Sequence, residues 1–238
     1  MVAVKVVNGY VIGPGADLKE ADLDKANLQR ANLKGADLYW ADLYWANLQG
    51  ANLKGANLCM AKLYAANLTE ADLEGACLTG ANLRYTNLTG ANLQGADFEA
   101  AYILQTNLQG ANLKGADLGG VFLNPPPSYS AVPPAADLTG ANLERANLAH
   151  VTFRGANLSG ANLTGADLKG ANLRGANLER ANLERADLRA AYLERADLSG
   201  ANLERADLTR PNLKGAKANE DTAWPEGFDP VATGVIFD

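Results

Sequence analysis

Residues able to carry out acid–base or nucleophilic chemistry are scarce in this sequence. His150 is its single histidine, and nucleophilic catalysis needs a base close to the nucleophile. The pattern around His150 allows no convincing set of serine, histidine and aspartate, so we interpret it as a solvated turn residue. The many glycines form no phosphate-binding loop between a strand and a helix. We therefore predict a protein that is not an enzyme, with no catalytic residues, no cofactor-binding residues and no cofactor.

The two cysteines, Cys59 and Cys77, supply too few ligands for a zinc site, which typically takes four Cys or His side chains. They also make no disulfide framework, so we expect free thiols, as in a reducing compartment. The first residues lack the basic start and long apolar run of a secretory signal. No stretch approaches the roughly 18 apolar residues of a membrane helix. We therefore expect a cytoplasmic protein that has no metal site and does not contact a membrane.

Composition and charge exclude a further class of function. The chain has 238 residues, of which 47% are hydrophobic, 7% aromatic and 20% charged, and its formal net charge is −6. Nucleic-acid-binding proteins work through a basic surface, so direct nucleic-acid binding is not expected. The net charge is also too small for an acidic disordered tail. The length suits one large domain or two small ones.

A five-residue repeat, Ala-(Asn/Asp)-Leu-X-X, dominates the chain. Its central residue recurs from Leu18 to Leu123 and from Leu138 to Leu213, in 22 and 16 copies. A five-residue period fits neither a helix nor a strand, so the chain must turn at every repeat, with Ala and Leu on a short extended piece pointing the same way. Glycine at the second corner position suits a turn with positive φ there. Corners such as Glu-Arg or Tyr-Trp are expected to use a turn that avoids positive φ.

This repeat resembles the pentapeptide-repeat family over residues 16–216, and the flanking segments 10–18 and 224–230 are similar to those of cyanobacterial members. The resemblance implies an all-β fold, a right-handed quadrilateral β-helix with four repeats in each coil. Thr86 and Thr106, irregular at the same repeat position, lie 20 residues apart and would stack. About nine to ten coils at a strand spacing of ~4.8 Å make a solenoid roughly 45 Å long.

The predicted organisation has five parts: an N-terminal β-hairpin cap at 1–15, a first solenoid block at 16–123, a Pro-rich loop insertion at 124–135, a second block at 136–216 and a C-terminal cap or tail at 217–238. The Asn8–Gly9 pair favours a two-residue hairpin turn. If 124–135 is a pure excursion, segment 121–123 stacks on the equally irregular segment 151–153, which is the alignment we prefer. Apolar residues near the C-terminus can cover the last coil: Trp224, Phe228, Val231, Val235, Ile236 and Phe237.

Aspartates also recur one coil apart on this fold, in the columns Asp17/Asp37, Asp22/Asp42, Asp97/Asp117 and Asp167/Asp187/Asp207. Carboxylates that close raise one another's pKa and can bind a cation. Asparagine, cysteine and basic residues interrupt these columns, so we interpret them as solvated carboxylates that substitute for asparagine.

The family resemblance also raises DNA mimicry, because its quinolone-resistance members resemble duplex DNA and bind DNA gyrase. The first repeat block here has a net charge of −4 and the second of +1, which is little charge for a DNA mimic. The tail is interrupted by Pro225 and Pro230 and offers no obvious dimerising helix. Binding to DNA gyrase or another topoisomerase is therefore the alternative function.

The most informative irregularity is aromatic. One side of the predicted coil and its corner collect aromatic and apolar residues at positions expected to point outward, with Tyr39 and Trp40 turning toward the same corner from the preceding side. Exposed Trp and Tyr clusters are enriched at binding hot spots. Leu104 is also expected to point outward in this strip. We therefore predict a protein-binding site from this strip and the Pro-rich loop: Tyr39, Trp40, Tyr44, Trp45, Tyr64, Tyr85, Tyr102, Phe122 and Tyr129.

Alternatives for this strip stay open. The loop can fold back so that Tyr129 and Val132 cover the strip, or the strip and loop can form a docking site, and a carbohydrate platform is a third use. The sequence as a whole predicts a non-enzymatic protein-binding or scaffold protein whose partner is another protein. A purely structural spacer is a further alternative. We expect a monomer, with a weak or end-to-end dimer as the other arrangement.

Overall fold

The structure is a computed structural model that describes residues 5–121 and 136–237. Its body is built from parallel β-bridges that join residues 20 positions apart, as between Asn27 and Asn47. The amide of each central leucine donates to the coil that follows, as from Leu18 N to Asp37 O at 2.7 Å. Four repeats therefore complete one coil, and the coils stack through hydrogen bonds that run along the axis.

The core is a column of leucine and alanine inside the coils. Most of these side chains are 0–1% exposed, and Phe98 and Phe153 are fully buried at leucine positions. Thr86 and Thr106 replace alanine and are each 1% exposed. Their hydroxyls donate to the carbonyl oxygens of Leu63 and Leu83, both at 2.7 Å, which satisfies two polar groups inside an apolar core.

Corners without glycine adopt the same backbone as corners with glycine. Trp45 has φ 53° and Arg145 φ 57°, close to the 64° of Gly160. The expectation that such corners avoid positive φ is therefore wrong. The corner amide of Arg145 donates to Thr164 O at 3.0 Å, as the amide of Gly160 donates to Glu179 O at 2.8 Å. The stacked coils fix the corner geometry and override the local preference of the residue.

Asparagine side chains form hydrogen-bonded ladders along the outside of the coils. The Oδ1 atom of an Asn or Asp accepts the backbone amide two residues on, as at Asn92 and Gln94. The Nδ2 groups then donate to the preceding coil, from Asn92 to Asp72 Oδ1 at 2.9 Å and from Asn112 to Asn92 Oδ1 at 3.0 Å. The same ladder continues from Asn142 to Asn112 at 3.1 Å. Every donor in this ladder points toward the N-terminal end.

Between the two repeat blocks, stacked residues are separated by ten more residues of sequence than elsewhere. Asn107 pairs with Asp137 and Asp117 with Asn147, a separation of 30 residues instead of 20. Leu108 N donates to Asp137 O at 2.7 Å, so the coil hydrogen bonds are continuous from one block to the next. The predicted loop at 124–135, together with residues 122–123, lies outside the described residues.

Among the described residues, four short strands and one 3-10 helix lie at the ends of the solenoid. Strands β1 (Lys5–Val7) and β2 (Tyr10–Ile12) pair antiparallel, and the Tyr10 hydroxyl accepts the amide of Asp22 at 3.1 Å. Strand β3 (Lys217–Ala218) pairs parallel with β4 (Ile236–Phe237), and the 3-10 helix spans Val231–Thr233. The described residues contain no helix that is long and apolar enough to cross a bilayer.

The C-terminal apolar residues divide into two groups. Trp224 and Phe228 stack with ring centroids 5.4 Å apart and pack on the core, and Val235 is 7% exposed. Val231 and Ile236 are more than half exposed, and Phe237 is 45% exposed. Only the first group therefore covers the apolar end of the solenoid.

Cys59 and Cys77 form a disulfide bond across neighbouring coils, with Cα atoms 5.5 Å apart. The expectation of free thiols is wrong. Cys77 pairs with Asn57 in the bridge pattern, and Cys59 lies two residues after Asn57, so the two cysteines are diagonal neighbours on one side. Diagonal side chains are within reach of each other in a sheet. The argument that linked free thiols to a reducing compartment therefore no longer applies.

Candidate functional site

One side of the solenoid carries most of the predicted site. We call it the aromatic face, and its strand positions stack in the order Asp22, Asp42, Lys62, Asn82 and Tyr102. Because the coil repeats every 20 residues, the corner residues that follow these positions also stack, from Tyr44 to Tyr64 and onward. Residues far apart in sequence thereby form one continuous edge.

The corner after the aromatic face holds four rings in contact, which we call the aromatic cluster. Tyr44 lies 5.8 Å from Trp45 and 5.6 Å from Tyr64 between ring centroids, and Tyr64 lies 5.1 Å from Tyr85. Trp45 also meets the edge of Tyr64 at 5.9 Å. Trp45 is 54% and Tyr85 49% exposed, whereas Tyr44 and Tyr64 are half-buried. Tilted and edge contacts at these distances are the favourable ones for aromatic pairs.

Tyr39 and Trp40 lie at the other corner of the same face, not at the corner of the aromatic cluster as the sequence analysis expected. The corner that contains them precedes Asp42 in the coil, and Tyr44 follows it. The two corners become walls of a groove of about 940 Å³ across the face. We call it the acidic groove, and its lining comprises Glu20, Asp22, Asp24, Tyr39, Trp40, Asp42, Tyr44, Trp45 and Lys62.

The remaining predicted residues have different outcomes. Tyr102 is 37% exposed on the face, with the guanidinium of Arg84 5.0 Å from its ring centroid. Leu104, expected to point outward, is buried with 8% exposure. It follows Tyr44, Tyr64 and Arg84 in the first corner column, where these three side chains are also only partly exposed. Phe122 and Tyr129 lie outside the described residues.

Basic residues collect at the far end of the same edge, a feature that the sequence analysis missed. Arg154, Arg174, Arg195 and Lys214 line a cavity of about 550 Å³ together with Glu194. Arg174 pairs with Glu194 at 2.8 Å and lies over the ring of Tyr192, 4.7 Å from its centroid. The hydrogen bond to Glu194 raises the pKa of Arg174. The 20-residue spacing from Arg154 to Arg174 was the sequence feature that could have predicted this cluster.

Acid–base and metal chemistry find no support in the described part of the chain. His150 occupies an exposed corner at φ 58°. No group of three or more His, Cys, Asp and Glu side chains there is placed to hold a metal ion. The aspartate columns do stack, as Asp17 on Asp37 and Asp187 on Asp207, but basic side chains join them, such as Lys19, whose Nζ lies 3.2 Å from Asp37 Oδ2.

Several solved structures resemble the chain. HetL, a pentapeptide repeat protein involved in heterocyst differentiation regulation from Nostoc sp. strain PCC 7120, is 38% identical, with 80% of this chain and 86% of HetL covered and a TM-score of 0.36. The pentapeptide repeat protein alr5209 from Nostoc PCC 7120 is 42% identical over 43% of this chain and 84% of its own, with a TM-score of 0.42.

A more distant likeness concerns the fold alone. QnrB1, a plasmid-mediated fluoroquinolone resistance protein, is 20% identical over 73% of this chain and 83% of its own, with a TM-score of 0.57. The chain matches no curated protein.

A family model for pentapeptide repeats, in eight copies, matches residues 15–50, 46–84, 81–120, 135–170, 166–205 and 186–220. These segments contain the stacked bridges and the leucine core described above. The family fold is a right-handed β-helix, in agreement with the prediction from the repeat. The chain therefore belongs to the pentapeptide-repeat family.

Proposed function

We propose that this protein is a non-enzymatic binding protein that docks another protein on its aromatic face. The observation that supports this proposal is the aromatic cluster, in which four rings touch and Trp45 and Tyr85 remain about half exposed. Contiguous exposed apolar patches on a soluble protein mark interaction sites. Trp and Tyr are the side chains that most often dominate the binding energy of an interface.

Rigidity of the face adds to this argument. Each corner carrying a ring is tied to the next coil by its backbone amide, as from Trp45 N to Tyr64 O at 3.0 Å and from Tyr85 N to Leu104 O at 3.2 Å. Rings held on such a framework lose little further freedom when a partner binds. A pre-organised surface of this kind gains affinity because the cost of ordering is already met in the fold.

Ion pairing favours this function over DNA mimicry. In the second block, Glu179 lies 3.6 Å from Arg180 and Glu184 lies 3.5 Å from Arg185 between charged atoms. Acidic side chains there are neutralised by basic neighbours along the same corners. A surface that imitates DNA has to present unpaired negative charge along its length, because a duplex carries one negative charge for about every 1.7 Å.

The experiment is an affinity capture that compares the wild type with a Tyr44→Ser/Tyr64→Ser/Tyr85→Ser variant. The matched control is Tyr192→Ser, which removes an exposed ring of the same face at its far end. We expect a captured partner to be lost from the triple variant and kept by the control, with circular dichroism unchanged in both. A partner retained by the triple variant would contradict docking on the aromatic cluster.

A gyrase supercoiling assay distinguishes docking on the aromatic face from the alternative function, topoisomerase binding. Docking on the aromatic face predicts no inhibition by the wild type at concentrations that saturate its captured partner. Inhibition that is equal for the wild type and the triple variant would support topoisomerase binding through another surface. Capture of no specific protein by any of the samples would favour a structural spacer.

A further inference from the structure

The acidic groove joins ring faces and carboxylates on one continuous surface. Asp22 and Asp42 stack on its floor, with Trp40 at one wall and Trp45 at the other. Trp40 is 43% and Trp45 54% exposed. Indole and phenol faces carry negative electrostatic potential, so both components of this lining attract the same kind of ligand, a cation.

The charges of the groove are only partly neutralised by the protein itself. Asp42 lies 3.4 Å from Lys62 Nζ and Asp24 lies 3.0 Å from Lys25 Nζ. Within the described part of the chain, Glu20 and Asp22 have no ion pair with a lysine or arginine. Four carboxylates therefore face two ammonium groups, and the groove keeps a net negative charge.

One carboxylate oxygen in the groove lacks a hydrogen-bond donor. Asp24 Oδ2 meets Lys25, but Asp24 Oδ1 is shielded from solvent and has no donor among the described residues. An acceptor shielded in this way carries a desolvation cost until a donor reaches it. This oxygen is too shielded to contact a ligand directly, but its charge adds to the negative potential of the groove.

The rings at this site already accept an ammonium group. Lys25 Nζ lies 5.2 Å from the ring centroid of Trp45, which is within the range of a cation–π interaction, and Trp is the strongest partner for it. Trp40, on the opposite wall, has no such cation in the described part of the chain. The groove thus offers a second indole face to a cation from outside.

We propose that the acidic groove binds lysine or arginine side chains of a basic, extended segment in the partner protein. This inference rests on the proposed docking function and specifies the chemistry of the partner. The groove extends over three coils, from Asp22 to Lys62, and is continuous with the aromatic cluster through Tyr44 and Trp45. Its volume of about 940 Å³ is near the upper end for small-molecule sites, roughly 300–1,000 Å³, which suits several residues of a peptide.

The test measures binding of a fluorescein-labelled peptide of alternating lysine and glycine by fluorescence anisotropy. Peptides with glutamine or glutamate in place of lysine are the ligand controls. The groove variant is Asp22→Asn/Asp42→Asn, and the control variant Asp72→Asn/Asp197→Asn removes two charges from other sides of the solenoid. Asparagine keeps the backbone hydrogen bond that these aspartates accept, as Asn27 Oδ1 does from Gln29 N at 3.2 Å, so both variants are expected to fold.

We expect the lysine peptide to bind the wild type and the control variant equally, and the groove variant about tenfold more weakly, which corresponds to ~1.4 kcal/mol. Binding should weaken at high salt, because exposed charges are screened. A Trp40→Ser variant should also lose affinity, since it keeps every carboxylate but removes one wall. Intrinsic tryptophan fluorescence, measured in a Trp224→Phe background, then reports the groove alone.

Three results would overturn the inference: no binding of the lysine peptide, equal loss of affinity in both aspartate variants, or equal binding of the glutamine peptide. The last would show that the groove does not select charge. These outcomes differ from failure of the docking function. If the Tyr44→Ser/Tyr64→Ser/Tyr85→Ser variant loses a captured partner while the groove variant keeps it, docking stands and the basic segment is excluded.

Discussion

Replacing Ala190 by glycine is expected to stabilise this protein, and replacing Gly160 by alanine to destabilise it by a similar amount. Both residues occupy the second corner position, with φ 54° at Ala190 and 64° at Gly160. Ala190 is exposed and lies outside the core. A Cβ added at Gly160 would meet no atom within 4 Å. The two exchanges therefore change the backbone preference and little else.

The magnitude follows from two opposing effects. A left-handed conformation costs an L-residue roughly 1–2 kcal/mol. Glycine in turn loses more freedom on folding, by roughly 0.5–1 kcal/mol. The hydrogen bonds from Ala190 N to Thr209 O at 3.0 Å and from Gly160 N to Glu179 O at 2.8 Å are kept in both variants. We therefore expect a gain of about 0.5–1 kcal/mol for Ala190→Gly and an equal loss for Gly160→Ala.

Urea denaturation followed by circular dichroism measures both changes, with the double variant as the control. The two sites are more than one coil apart, so the double variant should match the wild type if the effects add. A neutral or destabilising Ala190→Gly would refute the reasoning, because it would mean that the stacked coils make positive φ free of cost. Unequal slopes of the transitions would reveal loss of two-state unfolding.

Three further predictions concern the core, the disulfide and a surface ion pair. Leu93→Ala should lower the free energy of unfolding by about 2–5 kcal/mol, since Leu93 is fully buried and its truncation leaves a cavity. Urea denaturation measures this change, with the conservative Leu93→Met as control. Cys77→Ser should cost about 3 kcal/mol through the lost 18-residue link to Cys59, and a reducing agent should lower the stability of the wild type to that of the variant. Hydrogen bonding to Arg189 lowers the pKa of Asp187, so this pair contributes above the unfolded pKa, about 3.9, and the contribution is lost as pH falls through the folded pKa. Arg189→Gln should therefore lower the stability only slightly at neutral pH, because both side chains of the pair are partly exposed. The stabilities of the variant and the wild type should converge in acid, which denaturation across pH measures.

The repeat was sufficient to predict the fold class and the family. A leucine at every fifth residue can point inward each time only if the chain turns at every repeat. Each coil then supplies hydrogen-bond partners for the next coil. The corner backbone was not predictable residue by residue, because Trp45 and Arg145 follow the geometry of the stack and not their own preferences. The link between Cys59 and Cys77 was missed for a related reason. Their repeat positions differ, and only the diagonal across two coils brings them together.

The contact between the rings could be predicted from the sequence, but the shape of the surface around them could not. The aromatic cluster follows directly from the 20-residue spacing of Tyr44 and Tyr64. The acidic groove depends on Trp40 lying at the opposite corner, which turns a flat strip into a surface with two walls. The basic cluster around Arg174 was hidden because the charge of the second block sums to nearly zero, although four of its basic side chains line one cavity.

The direction of the asparagine ladder sets a rule for which substitutions the outer columns accept. Each asparagine side-chain amide donates to the coil before it. An aspartate therefore keeps the hydrogen bond that it accepts from the asparagine of the next coil: Asp72 accepts from Asn92, and Asp117 accepts from Asn147 at 2.8 Å. An aspartate that follows an asparagine has no proton to donate, so the ladder is cut, as between Asn147 and Asp167. Exchanging the residue types at positions 72 and 92 would therefore move the charge-assisted hydrogen bond by one coil, to the pair at positions 92 and 112, without altering composition. The ladder is therefore directional: an aspartate interrupts its hydrogen bond to the coil before it and keeps the one from the coil after it.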